Sequence, residues 1–153
     1  MWCSTVAEDG ALRALAVGAT GVLWRLADGA IYVVMSTASP AASAGVAKAA
    51  AARHIAYVRA PVNDTVIQAE AATLVVLCSG PEDASKACRT MFEVLGSKIH
   101  YLGDGEQARA FKLAVNMMVG ITAAMWSEAM IFGKAAGLDW EQMIDIIGET
   151  AVG

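Results

Sequence analysis

Charge is scarce in this chain. Asp, Glu, Lys and Arg make up 17% of its 153 residues and hydrophobic residues 57%, where about a quarter of an ordinary soluble domain is charged. Such a chain either buries most of its helices and strands or hands a large apolar surface to a partner. The 11 Lys and Arg are scattered, form no stripe and are outnumbered by acids, so nothing favours a nucleic-acid partner. Cysteine is too sparse for a disulfide framework: Cys3, Cys78 and Cys88 make no C-x-x-C and read as reduced, partly buried thiols of a cytoplasmic protein. The two histidines, His54 and His100, have no Cys, His or carboxylate at ligand spacing, so no metal site is expected. The opening "MWCSTVAEDG" has neither the basic stretch nor the apolar core of a secretory leader.

One long apolar run is present. Residues 113–133 hold a single charge, Glu128, and approach transmembrane length. The rest of the chain reads as a soluble α/β layer. That favours a buried helix over a membrane span, and no membrane partner is expected.

Elsewhere strand and helix signals alternate, which predicts a parallel sheet with helical crossovers. Strands are expected over 30–37, 55–62 (stopped by Pro61), 72–80 and 97–103. A short strand or loop opens the chain, and a helix follows over roughly 8–17. "SPAASAGVAKAAAARH" (39–54) has Ser39 as N-cap and Pro40 at the first helical position. "PEDASKACRTMFEVLG" (81–96) begins with Pro81 and two acids and stops at Gly96, as one helix should. A long helix is expected from about 106 to 136, and another over 138–149 capped by Asp139. The character changes near residue 104. The organisation expected is therefore 1–104 as an α/β domain and 105–153 as the start of a helical one. G-x-G-x-x-G occurs nowhere in these residues. The glycine turn that brings a dinucleotide pyrophosphate onto a helix N-terminus is thus missing from them.

Four stretches in order resemble the β-hydroxyacid dehydrogenase family, the group of 3-hydroxyisobutyrate dehydrogenase and tartronate semialdehyde reductases, with a 6-phosphogluconate dehydrogenase-like nucleotide domain. "GVLWRLADGAIYVVMSTASP" resembles its segment ending in S-T-x-S-P. "RAPVNDTVIQAEAATLVVLCSG" resembles its A-P-V-S-G-G stretch. "LGSKIHYLGDGEQARAFKLAVN" resembles its glycine-rich K-L-x-N-N stretch, and "SEAMIFGKAAGLD" its A-E-A…G-L-D. The resemblance covers about residues 5–150. It implies the second part of a Rossmann-type doubly wound sheet followed by the start of an all-helical domain, the whole being a fragment of a longer enzyme. The long helix would then be the interdomain helix.

The resemblance also implies roles. Lys112 matches the catalytic lysine, and Asn116, one turn on, matches the asparagine that helps hold the substrate. Ser36 stands where the family meets its substrate and Thr37 where it meets the nicotinamide of NAD or NADP. Asn63 and Asp64 stand in the family's substrate-binding S-G-G stretch, whose glycines, at Asp64 and Thr65 here, approach the substrate carboxylate. A lysine partly desolvated at a helix start has its pKa lowered towards working pH and is a usable general acid/base. The activity implied is NAD(P)-dependent oxidation or reduction of small 3-hydroxy acids or their semialdehydes. Imine reductases, which are relatives of the family, usually lack this lysine, so Lys112 favours a dehydrogenase. The departures are specific: Asn63-Asp64-Thr65 replace S-G-G, Arg59 replaces an acid, and Glu106 and Ala108 replace two glycines. Asp64 would repel an anionic acid.

Plainer readings stand beside these. Ser36-Thr37 can be a strand end with a helix cap, Asn116 a packing amide, and Lys112 a snorkelling lysine. Glu128 reads as structural. Met117, Met118, Met125 and Met130 read as core filling, and Trp126 and Trp140 as packing between helices. The alternative function is a cofactor-free, non-catalytic relative acting as a binding or assembly module. An open sheet edge near residues 1–6 predicts poor solubility or homo-oligomerisation.

Overall fold

The computed structural model describes residues 1–63, 65–150 and 152. The chain separates into two compact units, Met1–Leu113 and Ala114–Gly153.

The first unit is an α/β layer. In order it contains β1 (Trp2–Ser4), α1 (Asp9–Val17), a turn of 3-10 helix (Val22–Trp24), β2 (Ile31–Val34), α2 (Pro40–Ala51), β3 (Ala56–Arg59), β4 (Val62–Asn63), α3 (Val66–Glu70), β5 (Val75–Cys78), α4 (Glu82–Ala87), α5 (Arg89–Leu95) and β6 (Lys98–Tyr101). β1, β2 and β3 pair in parallel in that order, with Trp2 opposite Tyr32 and Tyr32 opposite Tyr57. β5 and β6 are also parallel. The all-parallel expectation fails at β4, which runs antiparallel to β5, while an Arg59–Ser79 bridge joins the two sets of strands. Arg59 opposite Ser79, Val62 opposite Val76 and Asn63 opposite Val75 share one register, so 59–63 is a single extended run and it is β5, returning after α3, that lies antiparallel to it. Pro61 has no N–H to give, but its carbonyl keeps the ladder by accepting from the Leu77 amide at 3.0 Å.

Side chains alternate across this layer, as strand geometry requires. Tyr32, Val34 and Tyr57 face α1 and α2 and pack with Leu12, Val46 and Ile55. Val33, Met35 and Val58 face the other way and pack with Val76, Cys88 and Phe92. Burying each large apolar side chain stabilises by roughly 1.5–3 kcal/mol, so these two clusters dominate the unit's stability.

The helix starts at Ser39-Pro40 and Asp139 form as expected. The Ser39 hydroxyl accepts from the Ala42 amide at 3.1 Å, and the Asp139 carboxylate accepts from Glu141 and Gln142. Two differences follow from local chemistry. The segment 81–96 is two helices rather than one, because the turn tightens at Cys88, whose N–H is shared between the Ala84 and Ser85 carbonyls at 3.2 Å each. The sequence reading also missed α3. Its signature, Thr65-x-x-Gln68, is a capping box, and the Gln68 side-chain oxygen accepts from the Thr65 amide at 3.2 Å.

The second unit holds the rest of α6 (Gln107–Ala135) and α7 (Trp140–Gly148), joined through Gly137 at a φ of 87°. Met130 and Met143 are its buried hydrophobic side chains among the described residues. The expectation that the apolar run is buried is overturned here. Met117, Met118 and Met125 are exposed and fill no core. α7, nine residues long, is the one other helix of this unit among the described residues, and it can cover only a small part of α6. Trp126 is half-buried and Trp140 is 45% exposed, so they pack only in part, beside Met130. Glu128 is exposed. By length and composition alone, α6 meets the requirement for crossing a membrane.

Candidate functional site

The site is built where the parallel strands end. Two loops follow the carboxyl ends of β1 and β2, and hydrogen bonds interlock them. The Val6 amide donates to Ser36 Oγ at 2.7 Å. The Asp9 carboxylate accepts from the Ser39 amide at 2.8 Å and from the Ser39 hydroxyl at 2.5 Å, joining the starts of α1 and α2. That hydroxyl, then that amide, hold the Asp9 carboxyl below the usual range, and Arg13 and Arg109 add to the effect. Ser36 is buried and its hydroxyl is engaged with Val6, whereas Thr37, next along, is exposed.

The start of α6 is placed by the end of β5. Ser79 Oγ donates to the Gly105 carbonyl at 2.8 Å and accepts from the Ala108 amide at 3.3 Å, satisfying one of the orphan donors at the helix N-terminus. Gly80, next along, lets the chain pass close to β3. Its φ is 140°, and a Cβ there would sit 2.5 Å from the Tyr57 carbonyl oxygen.

Lys112 lies in the second turn of α6. Its Nζ donates to Asn63 Oδ1 on β4 at 2.8 Å. The structure thus brings together two of the residues singled out from sequence. Asn116 is exposed and falls in the second unit. Asp64 lies outside the described residues.

Where α6 begins stands a charge cluster whose arrangement sequence reasoning missed. Arg59 grips Glu106: Nε donates to Oε1 at 2.7 Å and Nη2 lies 2.5 Å from the same oxygen. Arg109, buried at 1% exposure, donates from Nη1 to the Ser36 carbonyl at 2.5 Å and from Nη2 to the Tyr57 hydroxyl at 3.2 Å. Its Nε is 3.8 Å from Glu106 Oε2. Tyr57 binds both arginines, since the Arg59 guanidinium lies 4.7 Å from its ring centroid. Two signals in the sequence pointed here: Arg59 and Glu106 both stand where the resembling family has something else. The missing step was that they meet. Three residues before Lys112, α6 is therefore tied to the Ser36 loop. One residue before α6 begins, Glu106 is tied to β3. Among the described residues no group of three or more His, Cys, Asp or Glu could hold a metal ion.

An open, mainly parallel sheet with loops and helix starts gathered at its strand ends defines a nucleotide-binding class of α/β layer. Residues 2–103 match the model of the NAD binding domain of 6-phosphogluconate dehydrogenase. Residues 106–153 match that of the NAD-binding domain of NADP-dependent 3-hydroxyisobutyrate dehydrogenase. The chain belongs to the β-hydroxyacid dehydrogenase family. It is 33% identical over 148 residues to 2-(hydroxymethyl)glutarate dehydrogenase of Eubacterium barkeri, covering 97% of this chain and 49% of that protein. It is 31% identical over 142 residues to 3-hydroxyisobutyrate dehydrogenase of Pseudomonas aeruginosa, covering 93% and 48%. The solved 3-hydroxyisobutyrate dehydrogenase of Salmonella typhimurium superposes with a TM-score of 0.86 at 23% identity, over 99% of this chain and 53% of that one. At that identity the likeness establishes the fold. The chain spans about half the length of the curated relatives it matches.

Proposed function

We propose that this chain is the nicotinamide-side part of an NAD(P)-dependent oxidoreductase acting on small 3-hydroxy acids or their semialdehydes, with Lys112 as the general acid/base. One observation carries the reading. Lys112 Nζ is held on Asn63 Oδ1 at 2.8 Å, on a helix start packed against the strand ends. Asn63 gives the amine a neutral partner, which orients it without adding charge. From there the amine takes the proton from a substrate hydroxyl in oxidation, or returns it in reduction. NAD(P), when bound, supplies the hydride acceptor or donor.

The residues present fit one end of that cofactor. Thr37 is exposed on the loop after β2, where the nicotinamide belongs, and Ser36 orders that loop through Val6. The loops after β1 and β2, "TVAE" and "MSTAS", contain no glycine, so neither forms a pyrophosphate cradle. Asn63, Asp64 and Asn116 are the residues we assign to the substrate side.

The test combines a mutation with a titration. In a full-length context that includes a glycine-fingerprint βαβ segment, Lys112→Met is expected to lower turnover by about 10²–10⁴-fold. A near wild-type rate rejects the role. The alternative is a cofactor-free binding module. Nicotinamide fluorescence on titration with NADH and NADPH separates the two readings: no binding in the full-length context would support the module.

A further inference from the structure

Two attachments hold the start of α6 along one extended strand. Glu106 takes Arg59, and Lys112 takes Asn63. Arg59 to Asn63 covers about 13 Å at extended spacing. Glu106 to Lys112 covers about 9 Å at helical rise. The first two turns of the helix therefore lie along the strand and are pinned at both ends. Arg109, between the two pins, adds the Ser36 carbonyl and the Tyr57 hydroxyl.

The first pin joins two departures from the pattern of the resembling family. The resembling family carries an acid at the position of Arg59 and a glycine at that of Glu106. Here both positions have changed, and the two new side chains touch at 2.5 Å. Two departures that bond to each other behave as one exchange. Arg59 is 6% exposed and has Tyr57 against its guanidinium. Glu106 keeps one buried oxygen without a hydrogen-bond partner, 3.8 Å from Arg109 Nε. The brace is fixed most firmly on the strand side, where Arg59 is enclosed, while Glu106 is 23% exposed and held between Arg59 and Arg109.

We propose that Arg59 and Glu106 are positioning residues for Lys112. The pair sets the register of the first two turns of α6 against the strand that carries Asn63. Through that register it sets the place and reactivity of the Lys112 amine. The inference rests on reading Lys112 as the proton-transfer lysine, and its test reads the amine itself rather than turnover.

The measurement is the acylation rate of Lys112 relative to Lys134 in the same chain, followed by peptide mass spectrometry across pH. Removing one member of the pair strands a buried charge and can unfold the unit. The informative variants are therefore the neutral double, Arg59→Met with Glu106→Gln, and the exchange, Arg59→Glu with Glu106→Arg. The neutral double is expected to change the relative rate about fivefold, a coupling typical of residues sharing one charge network. The exchange is expected to bring it back to within about twofold of wild type. An unchanged rate in a neutral double that keeps native circular dichroism overturns the proposal. So does an exchange variant that folds but reacts like the neutral double, and this arm decides the matter if the neutral double does not fold. If Lys112→Met leaves full-length turnover intact while the neutral double shifts the rate, the proton-transfer reading falls and the brace stands.

Discussion

Phe92, in the first unit, is 1% exposed; Phe132, in the second, is 78% exposed. Both sit on helices. Phe92 meets a sheet face on which Val33, Val58 and Val76 already point the same way. Among the described residues of its unit, Phe132 has only α7 for company. Apolarity is a demand for cover, and the strand layer meets that demand because alternation gives it two faces with helices for each. A long helix with one short neighbour leaves most of its surface open. The charged residues show the same contrast. The first unit buries Arg59 and Arg109 by giving them Glu106, Tyr57 and a backbone carbonyl, whereas Glu128 of the second stays in solvent.

The largest expected effect is on chemistry. Lys112→Met in the full-length context should remove about 10²–10⁴ of turnover, read as kcat, and the loss should far exceed that of any exposed apolar substitution in the second unit. Next comes the buried pair. Arg59→Ala, which leaves Glu106 without its partner, should cost about 3–5 kcal/mol in urea denaturation of the first unit. Phe92→Ala should cost about 3–5 kcal/mol by the same measurement, whereas Phe132→Ala should fall within about 0.5 kcal/mol. Equal losses for the two phenylalanines would break the comparison drawn above.

A smaller effect concerns association. Replacing exposed Met118 and Phe132 with Ser should reduce self-association in sedimentation velocity without changing circular dichroism, because it removes uncovered apolar surface. The smallest is a pH dependence. Burial, with Cys78 and Cys3 adding, pushes the Cys88 thiol up to about 11 from 9.0. The folded state therefore keeps its proton where the unfolded state has lost it. Stability should fall as pH rises from 9 towards 11 and should be flat below 9. Cys88→Ala should flatten that decline in thermal melts at those pH values.

Much of the layer was legible because its signals are local. Ser39-Pro40 marks the start of α2, and Asp139 that of α7, because each supplies the cap that the first turn needs. The split at Cys88 was illegible: nothing in "SKACRT" announces a tightened turn whose purpose is to bury a thiol and Phe92 together. α3 was legible through Thr65 and Gln68, and the departures at Asn63-Asp64-Thr65 drew attention away from it. At the site, Lys112 and Asn63 were both singled out, yet the contact between them is a tertiary fact. Arg59 and Glu106 were noticed only as departures. They are 47 positions apart, too far for any spacing rule to join them.

Read by itself, the chain determined its alternating strands and helices, its family and its lysine. Each of these is written in short-range periodicity, capping chemistry or ordered motifs. Tertiary structure alone decided three things: that β5 runs antiparallel to β4, that two anomalous charges meet beneath α6, and that the apolar helix lies open. Those depend on which surfaces meet, and pairing energies between distant residues leave no local mark on the sequence that encodes them.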